Sequence, residues 1–161
     1  MTGKTHLIGG IAATTVITSF TNYDPVIFIA SGAVGGLIPD ICHGGSKIGR
    51  KFPLLSNIVN MIFGHRTITH SLLFLIGIGV VLSMFTSNST LIAGLIIGIA
   101  SHLLLDATTK RGIKLLYPVN FTVRFPITIK TGGTLENIVL LLLTLVTIYY
   151  GKDIVIPFLT F

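Results

Sequence analysis

Residues 91–106 read Leu-Ile-Ala-Gly-Leu-Ile-Ile-Gly-Ile-Ala-Ser-His-Leu-Leu-Leu-Asp, and this stretch decides the fold class. Its long apolar run is typical of a membrane helix, which satisfies its own backbone hydrogen bonds where no water is present. An ionisable residue at the centre of such a helix costs about 2.5–3.5 kcal/mol. His102 and Asp106 stand at one end of the run, four residues apart, so they share a helical face and are expected to serve function.

The rest of the chain has the same membrane character. It is 51% hydrophobic and 10% charged, against about 25% charged residues in soluble proteins, and its mean hydropathy is +0.90. Its apolar segments are residues 7–20, 26–39, 71–86, 91–105, 137–150 and 154–161. The third, fourth and fifth reach the length of a membrane span, about 20 residues, when their flanks are included. The first two are short and form either two spans or a re-entrant hairpin.

These segments predict a single all-α domain over residues 1–161. It is a polytopic helical membrane protein with about four to five membrane helices. No cleavable signal peptide is expected, because no small-x-small motif follows the first apolar run. The single cysteine, Cys42, excludes an intramolecular disulfide.

The basic residues lie almost entirely on one side of this predicted topology. The apolar segments return the chain to its N-terminal side for the loops 40–66 and 106–133. Ten of the eleven basic residues share that side, with Lys152 opposite, so the positive-inside rule predicts that it is the cytoplasm. The net charge of +6 then faces anionic headgroups of the bilayer. Nucleic acid is not an expected partner, because the chain has no Trp and few soluble segments.

All five histidines stand at ends of apolar segments on that same side. His6 opens the first segment and is either an interfacial residue or a metal ligand. Pro39 stops or kinks the second helix, and Asp40 and His43 follow three residues apart, on one face if the helix continues. Asp40 is a candidate metal ligand, whereas His43 is either a ligand or a plain loop residue.

The block from His65 to His70 introduces the third segment. Its two histidines are five residues apart and do not share one clean helical face, so Thr67 or Thr69 is expected as the N-cap. Both histidines are candidate metal ligands, and His70 and Arg66 are also candidate catalytic groups. Two histidines and an arginine at a helix N-terminus favour an anion site, although a basic flank at the membrane interface would also explain Arg66.

Two more groups complete the candidate site. The His102–Asp106 pair can supply two ligands to one ion, or Asp106 can bridge two ions. Alternatively Asp106 only accepts the N–H of a ligating imidazole. Glu136, the only Glu of the chain, is a further ligand, a general base or a favourable charge at a helix N-terminus. Lys110 and Arg111 follow Asp106 closely enough to line the site.

The predicted topology brings all these residues to one membrane face. Tolerated polar residues without a function would be divided between both faces. The spacings Gly32-x-x-x-Gly36 and Gly94-x-x-x-Gly98 let helices approach closely, so we expect the ligand-bearing helix ends to meet. Imidazole and carboxylate groups that converge in this way are typical of a site for a divalent metal ion.

These motifs resemble the YdjM-like family of bacterial inner-membrane proteins. The resemblance rests on His6, Pro39-Asp40-x-x-His43, His65-Arg66-x-x-Thr69-His70-Ser71 and His102-x-x-x-Asp106. That family is described as membrane-bound metal-dependent hydrolases, so the resemblance implies such an activity. One departure is Cys42, at a position where the family motif often has Asp. A thiolate can bind zinc but is a poor magnesium ligand.

The order of these residues is also similar to the all-helical zinc phospholipase C and P1 nuclease group. That similarity implies a site for one or two divalent ions, zinc before manganese or magnesium, with Asp106 as a bridging ligand. No histidine follows His102, so the later ligands of that group have no counterpart here.

We therefore expect a membrane-bound hydrolase that acts on a phosphoester of a membrane lipid at the cytoplasmic face of the bacterial inner membrane. The metal would activate water and polarise a phosphoryl oxygen. Arg66, with Lys110 or Arg111, would bind the anionic headgroup. The alternative is a membrane transporter or a metal-binding regulatory protein without turnover. A transporter favours ionisable groups at the bilayer midplane, whereas here they cluster at the interface.

Overall fold

The structure is a computed structural model that describes residues 1–63 and 67–159, with side chains except those of Lys47, Phe63 and residues 155–159. Its helices are α1 (Gly3–Thr18), α2 (Pro25–Gly35), α3 (Lys47–Lys51), α4 (Pro53–Phe63), α5 (Leu72–Phe85), α6 (Ser89–Ala107) and α7 (Thr134–Leu159). Short 3₁₀ helices at Ile38–Cys42 and Ile68–His70 precede α3 and α5. The predicted all-α class is confirmed, since β structure in the described ranges is limited to two isolated bridges.

Side-chain caps fix where two of the apolar helices begin. Asp24 accepts a hydrogen bond of 2.8 Å from the backbone N–H of Ile27 at the start of α2. Asn88 accepts one of 3.0 Å from Leu91 at the start of α6. Each cap satisfies a backbone donor that would otherwise lack an intrahelical partner.

The third apolar segment starts differently from the prediction. Its N-cap is Ser71, whose hydroxyl accepts from the backbone N–H of Phe74 at 3.2 Å. The expected cap at Thr67 or Thr69 is wrong, because the chain first forms the 3₁₀ helix Ile68–His70 and is extended only at Ser71.

Helix α6 is the centre of the bundle and packs against α1, α2 and α5, while α7 packs against α1. Glycines let the backbones meet, as the two predicted motifs require. A Cβ on Gly98 or on Gly10 would lie 2.2 Å from the carbonyl oxygen of Gly32. A Cβ on Gly94 would lie 2.6 Å from the carbonyl oxygen of Phe28. Helix α2 is thus held against both α1 and α6 by backbone contact.

The predicted number of membrane spans is not confirmed. Among the described residues, three stretches are long and apolar enough to cross a membrane: Pro25–Cys42, Ser89–Ala107 and Thr134–Ile154. The third apolar segment falls short because its flanks form the preceding 3₁₀ helix and the turn to α6, which leaves α5 with 14 residues. The second segment is longer than expected, because the 3₁₀ helix extends it past Pro39.

Two further segments depart from the prediction. The expected loop 40–66 contains the helices α3 and α4, and the separate final segment 154–161 is, as far as residue 159, a continuation of α7. The segment between α6 and α7 folds back onto the end of α6. The backbone N–H of Phe125 donates to the carbonyl of Ala107 at 3.0 Å, and that of Ile129 donates to the carbonyl of Thr108 at 2.8 Å. This segment therefore covers the C-terminal end of α6, where His102 and Asp106 lie.

Candidate metal centre

Five ionisable side chains from four elements meet at one end of the bundle. His6 lies in the first turns of α1, Asp40 and His70 lie in the two 3₁₀ helices, and His102 and Asp106 lie in the last turns of α6. All three imidazoles and Asp106 are completely buried, and Asp40 is 9% exposed. The expected convergence of these groups is confirmed by the structure.

The ligand atoms form two overlapping sets. His6, Asp40 and His102 make one set, and His70, His102 and Asp106 make the other, with the atoms of each set within 4.8 Å of one another. The shared member of both sets is His102. One imidazole nitrogen binds one ion, so an ion held by His102 would take its other ligands from one set or from both. These residues are brought together by α1, α6 and the two 3₁₀ helices.

The shortest distances between ligand atoms of the cluster are those of a zinc coordination shell, and others are slightly longer. With bonds of about 2.0–2.2 Å, two ligands of a tetrahedral ion lie about 3.3–3.6 Å apart. Asp106 Oδ1 lies 3.3 Å from His6 Nε2, and Asp106 Oδ2 lies 3.4 Å from His70 Nε2 and 3.8 Å from His102 Nε2. Asp40 Oδ1 lies 3.9 Å from His102 Nε2. The two oxygens of Asp106 face different imidazoles, Oδ1 that of His6 and Oδ2 that of His70.

The tautomer of His102 is set by α2. Its Nδ1 lies 2.8 Å from the carbonyl oxygen of Gly36, and a carbonyl can only accept, so Nδ1 carries the proton. In the neutral imidazole, the lone pair is then on Nε2, the atom that faces Asp40, His70 and Asp106. Orientation of a ligating histidine by a hydrogen bond from its other nitrogen is the usual pattern around bound metals.

His6 provides a second indication of a ligand. Its ring stacks on that of His102, with the ring centroids 3.7 Å apart and the planes inclined by 16°. Within the described chain, Nδ1 of this buried residue has no hydrogen-bond partner, and the contact of Nε2 is Asp106 Oδ1 at 3.3 Å. An unsatisfied buried polar group costs about 1–3 kcal/mol, and coordination of an ion by this ring would reduce that cost. The donor chemistry and this incompletely satisfied imidazole therefore fit a metal.

His70 is held by both its neighbours and the cluster. Its Nδ1 lies 3.0 Å from the Thr69 hydroxyl, and its Nε2 lies 3.2 Å from His102 Nε2. Burial alone would lower the pKa of this imidazole, but hydrogen bonds with Asp106 and Cys42 raise it above the ordinary value. The buried Cys42 thus contacts His70, and it belongs to neither of the two ligand sets.

Two predicted site residues lie away from the ligand sets. The 3₁₀ helix ends at Cys42 and His43 is extended, so Asp40 turns inward while His43 is exposed. Glu136 is buried, but its carboxylate accepts from the Thr5 hydroxyl at 2.6 Å and from the backbone N–H of Gly132 at 2.6 Å. Glu136 therefore joins the start of α7 to the start of α1. Its partner there, Thr5, directly precedes His6. His65 and Arg66 lie outside the described residues.

A cavity of about 510 Å³ opens beside the cluster, with Asp40 in its wall. Its polar and charged lining includes His43, Lys110, Arg111, Lys130 and Thr131. Lys110 and Arg111 were expected there. Lys130 was not predicted to line the site and entered the sequence analysis only as one of the basic residues that set the orientation. Nothing in the local sequence shows that its segment folds back over α6. The amino group of Met1 is a further group that sequence reasoning missed, and it hydrogen-bonds to Asp106 Oδ1.

Comparison with known proteins gives the chain relatives along most of its length. It is 55% identical over 150 residues to the uncharacterized protein YvsG of Bacillus subtilis (strain 168), which covers 93% of this chain and 94% of that protein. It is 30% identical over 152 residues to the inner membrane protein YdjM of Escherichia coli (strain K12), which covers 86% of this chain and 77% of that protein. No solved structure matches the chain.

The family comparison agrees with the resemblance in the motifs. The family described as YdjM inner membrane protein matches residues 1–156, a range that includes every residue of the buried cluster. Together with the apolar helices, this match makes the chain a bacterial inner-membrane protein. The chain belongs to the YdjM family of inner membrane proteins.

Proposed function

We propose that this chain is a metal-dependent hydrolase that cleaves a phosphoester bond of an anionic membrane lipid at the cytoplasmic face of the inner membrane. The observation that carries the proposal is the pair of overlapping ligand sets at His102, buried beside a cavity with cationic walls. Ligands alone would serve storage or transport equally well. A cationic cavity against the ligands also provides a place for the anionic group of a substrate.

The donor set favours zinc. Three imidazoles and two carboxylates suit Zn²⁺, whereas Mg²⁺ prefers an all-oxygen shell. His6, Asp40, His70, His102 and Asp106 would hold one or two ions. A zinc ion held there would lower the pKa of a bound water to about 7 and polarise a phosphoryl oxygen.

The residues of the chain divide the remaining work. Lys110, Arg111 and Lys130 are exposed around the cavity, where they bind the phosphate and compensate its charge. Asp40 belongs to a ligand set and also to the cavity wall, so a phosphate in the cavity lies next to the ligands. The Gly36 carbonyl keeps the Nδ1 proton of His102 in place, which leaves Nε2 available throughout the reaction.

The position of the site supports a lipid as the substrate. Asp40, His102 and Asp106 stand at the ends of two stretches that are long and apolar enough to cross the membrane, which supports a site at the depth of the headgroups. The ten-to-one distribution of basic residues supports a cytoplasmic location for that end. A transporter would instead place its ionisable groups near the bilayer midplane.

The direct test is release of headgroup or phosphate from bilayer lipids by the solubilised protein, with and without a chelator. We expect chelator-sensitive turnover that is faster on anionic than on zwitterionic lipids. Lys130→Gln should raise KM several-fold, whereas Lys114→Gln removes a charge from the same loop without touching the cavity and should leave KM unchanged. If a folded, metal-loaded sample hydrolyses neither lipid nor soluble phosphoesters, the hydrolase proposal fails and the binding or transport alternative takes its place.

The orientation needs its own test. The native thiol of Cys42 is buried, so cysteines introduced at exposed positions can be labelled selectively. An impermeant reagent added to intact cells should label Ser87→Cys, between α5 and α6, and should spare Thr131→Cys at the cavity. The reverse pattern would place the site outside the cytoplasm and would leave the metal chemistry untouched.

A further inference from the structure

Helix α4 presents three different faces. Ser56 is completely buried against the rest of the protein, on the side where α4 contacts the 3₁₀ helix Ile38–Cys42. Asn57 and Asn60 form a second, exposed polar stripe. Leu54, Ile58, Met61 and Ile62 form an exposed apolar stripe at helical spacing, with exposed fractions of 75%, 45%, 84% and 64%.

This pattern does not fit a helix that crosses the membrane. α4 has 11 residues, which gives a length of about 16 Å against the roughly 30 Å of the hydrocarbon core. A span would also place Asn57 and Asn60 in lipid. A helix that lies along the surface of the bilayer, with the apolar stripe down and the asparagine stripe up, satisfies both sets of side chains.

The charge next to α4 identifies the surface. Helix α3 ends in Arg50 and Lys51, which are both exposed, and residue 53 already begins α4. Basic residues beside an apolar helical face are the usual signature of contact with anionic lipid headgroups. Helix α3 therefore provides positive charge for the lipid headgroups, and helix α4 provides an apolar face for the boundary between headgroups and acyl chains.

We propose that α3 and α4 form a membrane-surface element that rests on the anionic leaflet at the mouth of the cavity. Its attachment to the site is tight. The Ser46 hydroxyl donates to the carbonyl of Asp40 at 2.8 Å, and a Cβ on Gly49 would lie 2.0 Å from the carbonyl oxygen of His43. Contact with lipid is thereby placed beside the chain segment that carries Asp40. This proposal does not depend on hydrolytic activity.

Single tryptophan variants can measure the depth of α4, because the natural chain contains no Trp. The full-length protein is reconstituted in vesicles whose lipids carry bromine on the acyl chains, and aqueous iodide is used in a parallel titration. We expect Met61→Trp to be quenched by bromolipid about twofold or more above Asn60→Trp, with the opposite order for iodide. Leu142→Trp, on the exposed face of α7, is the positive control for lipid contact.

The outcomes separate the alternatives. If Met61→Trp is quenched by iodide as strongly as Asn60→Trp, α4 is in water and the proposal is wrong. If neither quencher reaches it, another protein chain covers the stripe and the proposal is equally wrong. Leu54→Trp gives a second reading if Met61→Trp does not fold. Replacing Arg50 and Lys51 by Gln should reduce bromolipid quenching in anionic vesicles to the level of zwitterionic ones, and no change would remove the anionic part of the proposal.

Discussion

Helices α6 and α7 are both apolar and long enough to cross a membrane, yet they have different places in the molecule. Of the spanning window, 39% is buried within the protein in α6 and 6% in α7. α6 carries Gly94, Gly98, His102 and Asp106 at intervals of four residues. One face of the helix therefore has glycines in its first half and candidate metal ligands in its second half. α7 has one acidic residue in its first turn, Glu136, and a second, Asp153, near its far end. Composition places both helices in the membrane, and spacing decides which one becomes the core.

The glycines and the ligands on α6 depend on each other. Because α2 packs on the glycine half of that face, the carbonyl of Gly36 reaches Nδ1 of His102 and the following 3₁₀ helix brings Asp40 to Nε2. A larger residue in place of Gly98 would therefore disturb the ligands as well as the packing.

The largest expected effect comes from exchanging one carboxylate on each helix. Asp106→Asn removes a charge whose two oxygens face His6 and His70. Turnover should fall by more than the roughly 10–100-fold loss typical of an outer-shell partner. Asp153→Asn changes an exposed acid at the far end of α7 and should match the natural protein. Equal activity of both variants in the headgroup-release assay would refute the role given to α6.

The next effect concerns one glycine on each helix. A Cβ at Gly98 would lie 2.2 Å from the carbonyl of Gly32, so Gly98→Ala should lower the free energy of unfolding by about 1–3 kcal/mol. A Cβ at Gly151 on α7 would lie 3.8 Å from its nearest neighbour, the methyl group of Thr15. Gly151→Ala should therefore raise the free energy of unfolding by about 0.4–1 kcal/mol. Thermal unfolding in detergent measures both. The comparison breaks down if the two variants shift Tm in the same direction.

A smaller effect is expected where α7 supports α1. Glu136→Gln weakens the hydrogen bonds to Thr5 and Gly132, and Thr5 precedes His6. Metal affinity should therefore fall by about tenfold, the lower end of the effect of outer-shell changes, while Thr5→Ser, which keeps the hydroxyl, should retain it. Competition with a chromogenic chelator measures the affinity. A complete loss of metal would instead indicate that Glu136 is a ligand.

The sequence predicted the fold class and the convergence of five residues, because both follow from helix direction. Alternate apolar segments must end on the same side, which puts His6, Asp40, His70, His102 and Asp106 at one membrane face. The glycine spacings then let the helix ends meet. The different fates of Asp40 and His43 depend on a 3₁₀ helix that ends between them. The spacing of three residues between Asp40 and His43 does not predict where that helix ends.

Other features depend on tertiary contacts that local sequence does not contain. Glu136 accepts a hydrogen bond from Thr5 on α1, which is 131 residues away in the chain. Lys130 reaches the cavity because the segment after α6 folds back over it. Helix α4 lies in a segment whose apolar residues are interrupted by Ser56, Asn57 and Asn60, so it contains no long apolar run that would predict it.

The central claim is that His102 organises a metal centre, and the metal content of the purified protein tests it most directly. Elemental analysis of the natural chain should give one or two equivalents of a divalent metal, and we expect that metal to be zinc. His102→Ala should lose it, because this residue belongs to both ligand sets. His43→Ala is the matched control, an exposed histidine outside both sets, and should retain it. A folded natural protein that binds no divalent metal, or a His102→Ala variant that binds as much as His43→Ala, would contradict the account.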